Sequence, residues 1–178
     1  MTHTTEDARQ RAANVRLAVF DVDGVLTDGS LLFTEAGETM KRFHTLDGHG
    51  MKMLMQSGIE VAIISGRSSA AVSQRMKELA ITHVFQGIHD KRSTYEALLA
   101  SLGLAHEAVA AIGDDVVDLP ILSRSGFAAA VPAAPAFVRE RAHLVTQAAG
   151  GAGAAREFCD FILDAQGKLA ALQQRYLA

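Results

Sequence analysis

A chain of 178 residues with 49% apolar content can bury one good-sized core and is too short for two ordinary domains. With 17 Lys and Arg against 20 Asp and Glu, a formal charge of -3, it carries no basic footprint for nucleic acid and no polybasic membrane patch. Its one cysteine, Cys159, excludes an internal disulfide, reads as a small buried helix residue and fits a reducing cytoplasm.

Residues 1–14, MTHTTEDARQRAAN, are polar and have no apolar segment, so they read as a loose tail ahead of one domain over 15–178. The apolar run Leu17 to Phe20 is the first buried strand, and VFDVDGVLTDG places Asp21, Asp23 and Asp28 where it ends. SLLFTEAGETMKRFH has two half-apolar runs around Glu35-Ala36-Gly37, which predicts a projecting β-hairpin over about 30–43. His44 and His49 flank a Gly-rich turn without useful metal-ligand spacing and read as loop residues. A short helix then leads to a second strand, Ile59 to Ile64.

Beyond it, helical spacing over Ser69 to Leu79, Ser93 to Leu102 and Leu119 to Ser123 alternates with apolar runs at His83 to Phe85, Val109 to Ile112, Phe127 to Val131 and Leu144 to Thr146. Such alternation predicts an α/β fold, a Rossmann-like parallel sheet flanked by helices. The region Gly126 to Val138 is too short to span a bilayer and contains Pro132 and Pro135. Ala148 to Ala155 reads as a flexible joint within a C-terminal segment of about 150–178. A last helix follows from Arg156 to about Leu172, apolar on the face of Phe158, Phe161, Ile162, Ala165 and Leu169 and able to dock on its own domain or on a neighbour.

Parallel sheets bind ligands at the carboxyl ends of their strands. Four of those ends carry polar groups here: Asp21 and Asp23, then Ser65-Gly66-Arg67, then Lys91, then Asp114, Asp115 and Asp118. Carboxylates converging from different strands repel one another unless a cation joins them, and an all-oxygen site suits Mg²⁺. A hydroxyl, a Gly-freed N–H and a lysine opposite them suit a tetrahedral anion such as phosphate. One aspartate can act as nucleophile while a second serves as general acid and then base. Taken singly, these residues also pass as turn formers and helix caps, and for Asp28 and Asp115 the structural reading is the better one.

DVDGVLT, then Ser65, Lys91 and GDDVVD at 113–118, occur in the order of the four motifs of the haloacid dehalogenase-like phosphatases, and the chain resembles that family. The resemblance implies that Asp21 is nucleophile and Mg²⁺ ligand, and that Asp23 is acid/base and lends the metal its main-chain carbonyl. Asp114 becomes a side-chain metal ligand, Ser65 and Lys91 hold the phosphate, and Asp118 orients Lys91 or metal-bound water. Between Asp28 and Ser65, and between Ser65 and Lys91, the predicted elements use all the residues, so there is no room for the cap domain that many family members insert. An open site needs another cover, and a hairpin lent to a neighbouring subunit supplies one.

Among capless members the resemblance covers nearly the whole chain from Leu17 and narrows to phosphatases of an eight-carbon sugar acid phosphate, which serve lipopolysaccharide synthesis. Its marks are DVDGVLTDG, LDGHGMKML, SGR, QGIHDK, GDDVVDLP and GGAGAAREFCDFILDAQGK. It implies a cytoplasmic homotetramer, with substrate contacts at Asp23, His44, Thr45, Leu46, Asp47, Gly48, Lys52, Arg67, Arg75 and Lys91. Two arginines and a lysine beyond the phosphate make charge sense for a substrate with a carboxylate at its far end. Arg67 and Arg75 share a face if their helix is regular from the loop onward. Lys52 stands where relatives often carry arginine, and Ala152 where a basic residue is common. A nine-carbon sugar acid phosphate is the nearest alternative substrate. A non-catalytic receiver-type phosphoacceptor is the alternative of another class, against which Asp23 argues, since a receiver gains nothing from a second carboxylate placed to activate water.

Overall fold

The computed structural model describes residues 5–177. Six strands form one sheet: β1 (Leu17–Phe20), β4 (Glu60–Ile64), β5 (His83–Phe85), β6 (Val109–Gly113), β7 (Phe127–Ala130) and β8 (Leu144–Val145). Their order is β5-β4-β1-β6-β7-β8 and every neighbouring pair is parallel. The central strands are wholly buried and read LAVF, VAAIG and FAAA, so both faces carry apolar side chains and the small residues let helices lie close. The chain first moves outward from β1 through β4 to β5, then returns to β6 on the other side. The crevice for a ligand in such a sheet lies at that reversal, beyond the ends of β1 and β6.

β2 (Leu32–Thr34) and β3 (Gly37–Met40) form the antiparallel hairpin, separate from the main sheet. Helices α2 (Thr45–Gln56), α3 (Ala70–Leu79), α4 (Lys91–Leu102) and α5 (Leu119–Leu122) fill the crossovers, and no cap domain is inserted. α6 (Ala136–Arg139) is a single turn before β8.

Four expectations need correction. The N-terminal tail contains a helix, α1 (Thr5–Ala12), whose Ala8 and Ala12 are buried one turn apart; residues 1–4 lie outside the described residues. Arg9 pairs with Asp164 at 2.7 Å and Arg11 donates to the Gly126 carbonyl at 3.2 Å, so polar side chains that suggested a free tail instead fasten it. His49 lies within α2 and His44 is its N-cap, because the glycines of LDGHG serve close helix packing and not a turn. The last helix is two, α7 (Ala154–Ala165) and α8 (Leu169–Gln174), parted at Gln166-Gly167, where the Gln166 amide donates to the Val15 carbonyl at 2.8 Å. α7 docks on its own sheet: Phe158 meets Phe20 edge-on at 5.4 Å, and Phe161 stacks on Phe127 at 5.3 Å.

The expected flexible joint is the fourth. Gly151 N–H donates to the Val25 carbonyl at 2.9 Å, and a Cβ at Gly150 would lie 1.7 Å from the Gly24 carbonyl oxygen. Glu157 accepts from the backbone of Gln147 and Ala148. Glycine here permits close approach of two backbones, so the segment braces the loop that carries Asp21 and Asp23.

Candidate active site

Asp21 follows β1 directly, and its N–H donates to Ile112 of β6 at 3.2 Å, so the sheet itself fixes where this carboxylate begins. Ser65 follows β4 and is buried, with its N–H held by Phe85 of β5 at 2.9 Å. Lys91 opens α4 behind the N-cap Asp90, which accepts from Ser93. Asp114 follows β6, and Asp118 closes a 3-10 turn whose cap is Asp115. The four strand ends converge, as the parallel sheet requires.

Lys91 is 4% exposed, and its ammonium donates to Asp21 Oδ1 at 2.7 Å and to Asp118 Oδ1 at 2.6 Å. Burial alone pulls a lysine pKa down, but the two carboxylates outweigh it and hold Lys91 above its ordinary value. Asp118 Oδ2 accepts the N–H groups of Asp114 and Asp115 at 3.0 and 3.3 Å. With both oxygens engaged, Asp118 serves as a brace between α4 and the last motif. Asp21 is pushed up to about 7, first by burial and then by Asp118, with Lys91 opposing. Asp114 is likewise pushed up to about 7 by burial, Asp118 and Asp115.

Asp21, Asp114 and Asp118 each bring a carboxylate oxygen within 4.8 Å of the others. Gly24 makes this possible: its φ is +94°, and a Cβ there would lie 2.1 Å from an Asp114 oxygen. Three carboxylates facing one ammonium leave an uncompensated charge of about -2, which a hard divalent cation with oxygen ligands neutralises. The residues therefore fit Mg²⁺.

The cleft over these groups has a volume of about 300 Å³. Asp21, Asp23, Ser65, Arg67, Lys91 and Asp114 line it together with His89 and Val117, which sequence reasoning passed over although both neighbour a motif. Asp23 turns its carboxylate away from the acidic cluster, toward Lys41 and toward Arg67 Nε at 3.8 Å. Lys41 was also missed, because a lysine at the foot of a hairpin reads as an ordinary solvated charge.

His44, Thr45, Leu46, Asp47, Gly48, Lys52 and Arg75 do not line this cleft. Arg75 lies across Gly48 and pairs with Glu78 at 3.4 Å. The expected common face for Arg67 and Arg75 does not form, because Ser69 is extended and α3 starts only at Ala70, which breaks the helical phase between them. Asp47 is buried and caps another helix: Oδ1 accepts from Arg156 N at 2.8 Å at the start of α7, whose own N-cap, Gly153, has no side chain. Asp28 and Asp115 keep structural roles, Asp28 accepting from Ser30 N at 3.0 Å and Asp115 from Val116 N at 2.7 Å.

A parallel sheet bearing an aspartate pair after β1, a hydroxyl after β4, a buried lysine and a closing acidic turn defines a haloacid dehalogenase-like hydrolase, and the model of that family matches residues 81–158. Over 164 residues the chain is 46% identical to the 3-deoxy-D-manno-octulosonate 8-phosphate (KDO 8-phosphate) phosphatase of Yersinia pestis, covering 92% of this chain and 88% of the relative. The chain belongs to the family of KDO 8-phosphate phosphatases. The Moraxella catarrhalis enzyme, solved with magnesium, phosphate and KDO, superposes with a TM-score of 0.94 at 40% identity, covering 98% of this chain and 99% of that one. The cobalt-bound Haemophilus influenzae enzyme gives 0.91 at 42% identity, covering 95% and 100%.

Proposed function

We propose that the chain is a Mg²⁺-dependent phosphomonoesterase that hydrolyses KDO 8-phosphate to KDO and inorganic phosphate through an aspartyl-phosphate on Asp21. The observation that carries this reading is Lys91, buried between Asp21 and Asp118 beside Asp114, at the convergence of four strand ends. Asp21 and Asp114, with the Asp23 carbonyl, would hold Mg²⁺, which supplies positive charge against the phosphoryl oxygens.

The chain's own groups account for the rest. Lys91 takes Oδ1 of Asp21 and leaves its other oxygen for attack on phosphorus. Ser65 accepts from Arg67 N–H at 3.4 Å, so its own hydroxyl proton is available to a phosphoryl oxygen. Asp23 protonates the departing sugar oxygen, then takes a proton from the water that cleaves the acyl phosphate. Arg67, at the rim and about half exposed, meets the anionic far part of the substrate.

The hairpin's outer surface, with Leu31, Leu32, Phe33 and Met40 exposed, supports self-association as a homotetramer. Thr45, Leu46 and Lys52 are exposed and lie apart from the chain's own cleft, which supports their serving a neighbour's substrate, whereas Asp47 and Gly48 are buried in helix packing. The free buried Cys159, and the lack of any described helix long and apolar enough to cross a membrane, accord with a cytoplasmic setting. A substrate panel tests the assignment: kcat/KM is highest for KDO 8-phosphate, lower for a nine-carbon analogue, and lost on chelation. A panel led by the nine-carbon substrate would reassign it.

A further inference from the structure

Lys41 directly follows β3, and its side chain is 1% exposed, with the ammonium on Asp23 Oδ1. A lysine taken out of water is costly unless its charge is matched. Its match is the carboxylate to which the function proposed above gives both proton transfers. The same hairpin reaches the site a second time through Phe33, whose ring centroid lies 5.9 Å from the Arg67 guanidinium carbon. Arg67 Nε in turn faces Asp23 Oδ2 at 3.8 Å, beyond hydrogen-bond range.

We propose that Lys41 is a positioning residue for proton transfer: by fixing Oδ1 of Asp23 from the hairpin, it aims Oδ2 at the ester oxygen of the substrate. Asp23 sits in the loop after β1, where its side chain has two torsions to settle and the sheet holds neither. As the P–O ester bond breaks, the proton on Oδ2 passes to the departing sugar oxygen. In the second half, Oδ2 takes a proton from water as the water oxygen bonds to phosphorus and the Asp21–phosphorus linkage breaks. One atom thus serves both steps, and it is set from the foot of the hairpin.

The inference rests on the proposed reaction, and leaving-group dependence separates the two. A sugar alkoxide needs a proton to depart, whereas p-nitrophenolate and acetate depart without one. Lys41→Met is expected to lower the single-turnover rate of KDO release from KDO 8-phosphate by about 100-fold, as a misaimed group does, with substrate affinity little changed. Single-turnover release of p-nitrophenolate and acetate from p-nitrophenyl phosphate and acetyl phosphate should keep its wild-type rate, which also reports an intact fold, while steady-state turnover of all three substrates falls with the shared hydrolysis of the Asp21 phosphate. Lys41→Gln gives the same ratio a second reading should methionine at this buried position cost folding. Equal losses in the single-turnover rate on all three substrates, or no loss on any, would overturn the proposal. A wild type inert toward KDO 8-phosphate but active on the activated esters would refute the substrate assignment instead, and a simple alkyl phosphate would then replace it in the ratio.

Discussion

Lys91 compensates one of the carboxylates gathered beneath the cleft, and the charge left over has a measurable consequence. Asp21 and Asp114 stand near 7 in the fold against an unperturbed 3.8, so between those values the folded state binds more protons than the unfolded one. The pair's contribution to stability is therefore fully present below about pH 4 and lost as the pH rises through about 7. Mg²⁺ binds the deprotonated pair, so its stabilising effect runs the opposite way. The rise in Tm caused by Mg²⁺ should grow between about pH 5 and about pH 8. A rise in Tm independent of pH would show that these carboxylates do not hold the metal. Asp21, Asp23, Ser65, Lys91 and Asp114 were legible in the sequence because each follows a strand in one recurring order. Lys41 was not, since nothing local marks a lysine whose partner, Asp23, is distant in sequence, and His89 joins the cleft only through the fold.

At the scale of elements, α2 and α7 are coupled by a cap that neither supplies alone. Asp47 of α2 satisfies a backbone N–H at the start of α7, where Gly153 offers no side chain. Asp47→Ala should cost about 1 kcal/mol, the usual worth of such a cap, and lower Tm by about 2–4 °C in a chain of this size. Asp47→Asn, which keeps the acceptor and removes the charge whose burial raises the Asp47 pKa, should stay near wild type. Equal losses in both variants, read by thermal scans, would place the role of Asp47 elsewhere. Periodicity located the strands and most helices to within a residue or two, yet it misjudged α1, α2 and the 148–155 segment. In α2 and the 148–155 segment, glycine looked like a turn or a joint and proved to be close packing, while in α1 polar side chains looked like a free tail and proved to fasten it, tertiary properties that local composition does not encode.

For the whole molecule, the parallel sheet and the capless crossovers followed from alternating patterns and from the spacing of the motifs, whereas the strand order came only with the fold. Assembly is not encoded in that way. The hairpin's foot belongs to its own site through Lys41, while the paired Leu32 and Met40 are exposed. Replacing both with lysine should dissociate the assembly to a smaller species by light scattering and lower activity on KDO 8-phosphate. A wild type that is monomeric and fully active would remove the reason for that outward face.

The central claim is that Asp21 attacks phosphorus in KDO 8-phosphate. Phosphate release by the wild type and by Asp21→Asn, each saturated with Mg²⁺ and checked for folding, tests it most directly. The account predicts rapid release by the wild type and a loss of at least about 10⁴-fold in the variant, as when a catalytic nucleophile is removed. Release that persists in Asp21→Asn at a comparable rate would contradict it.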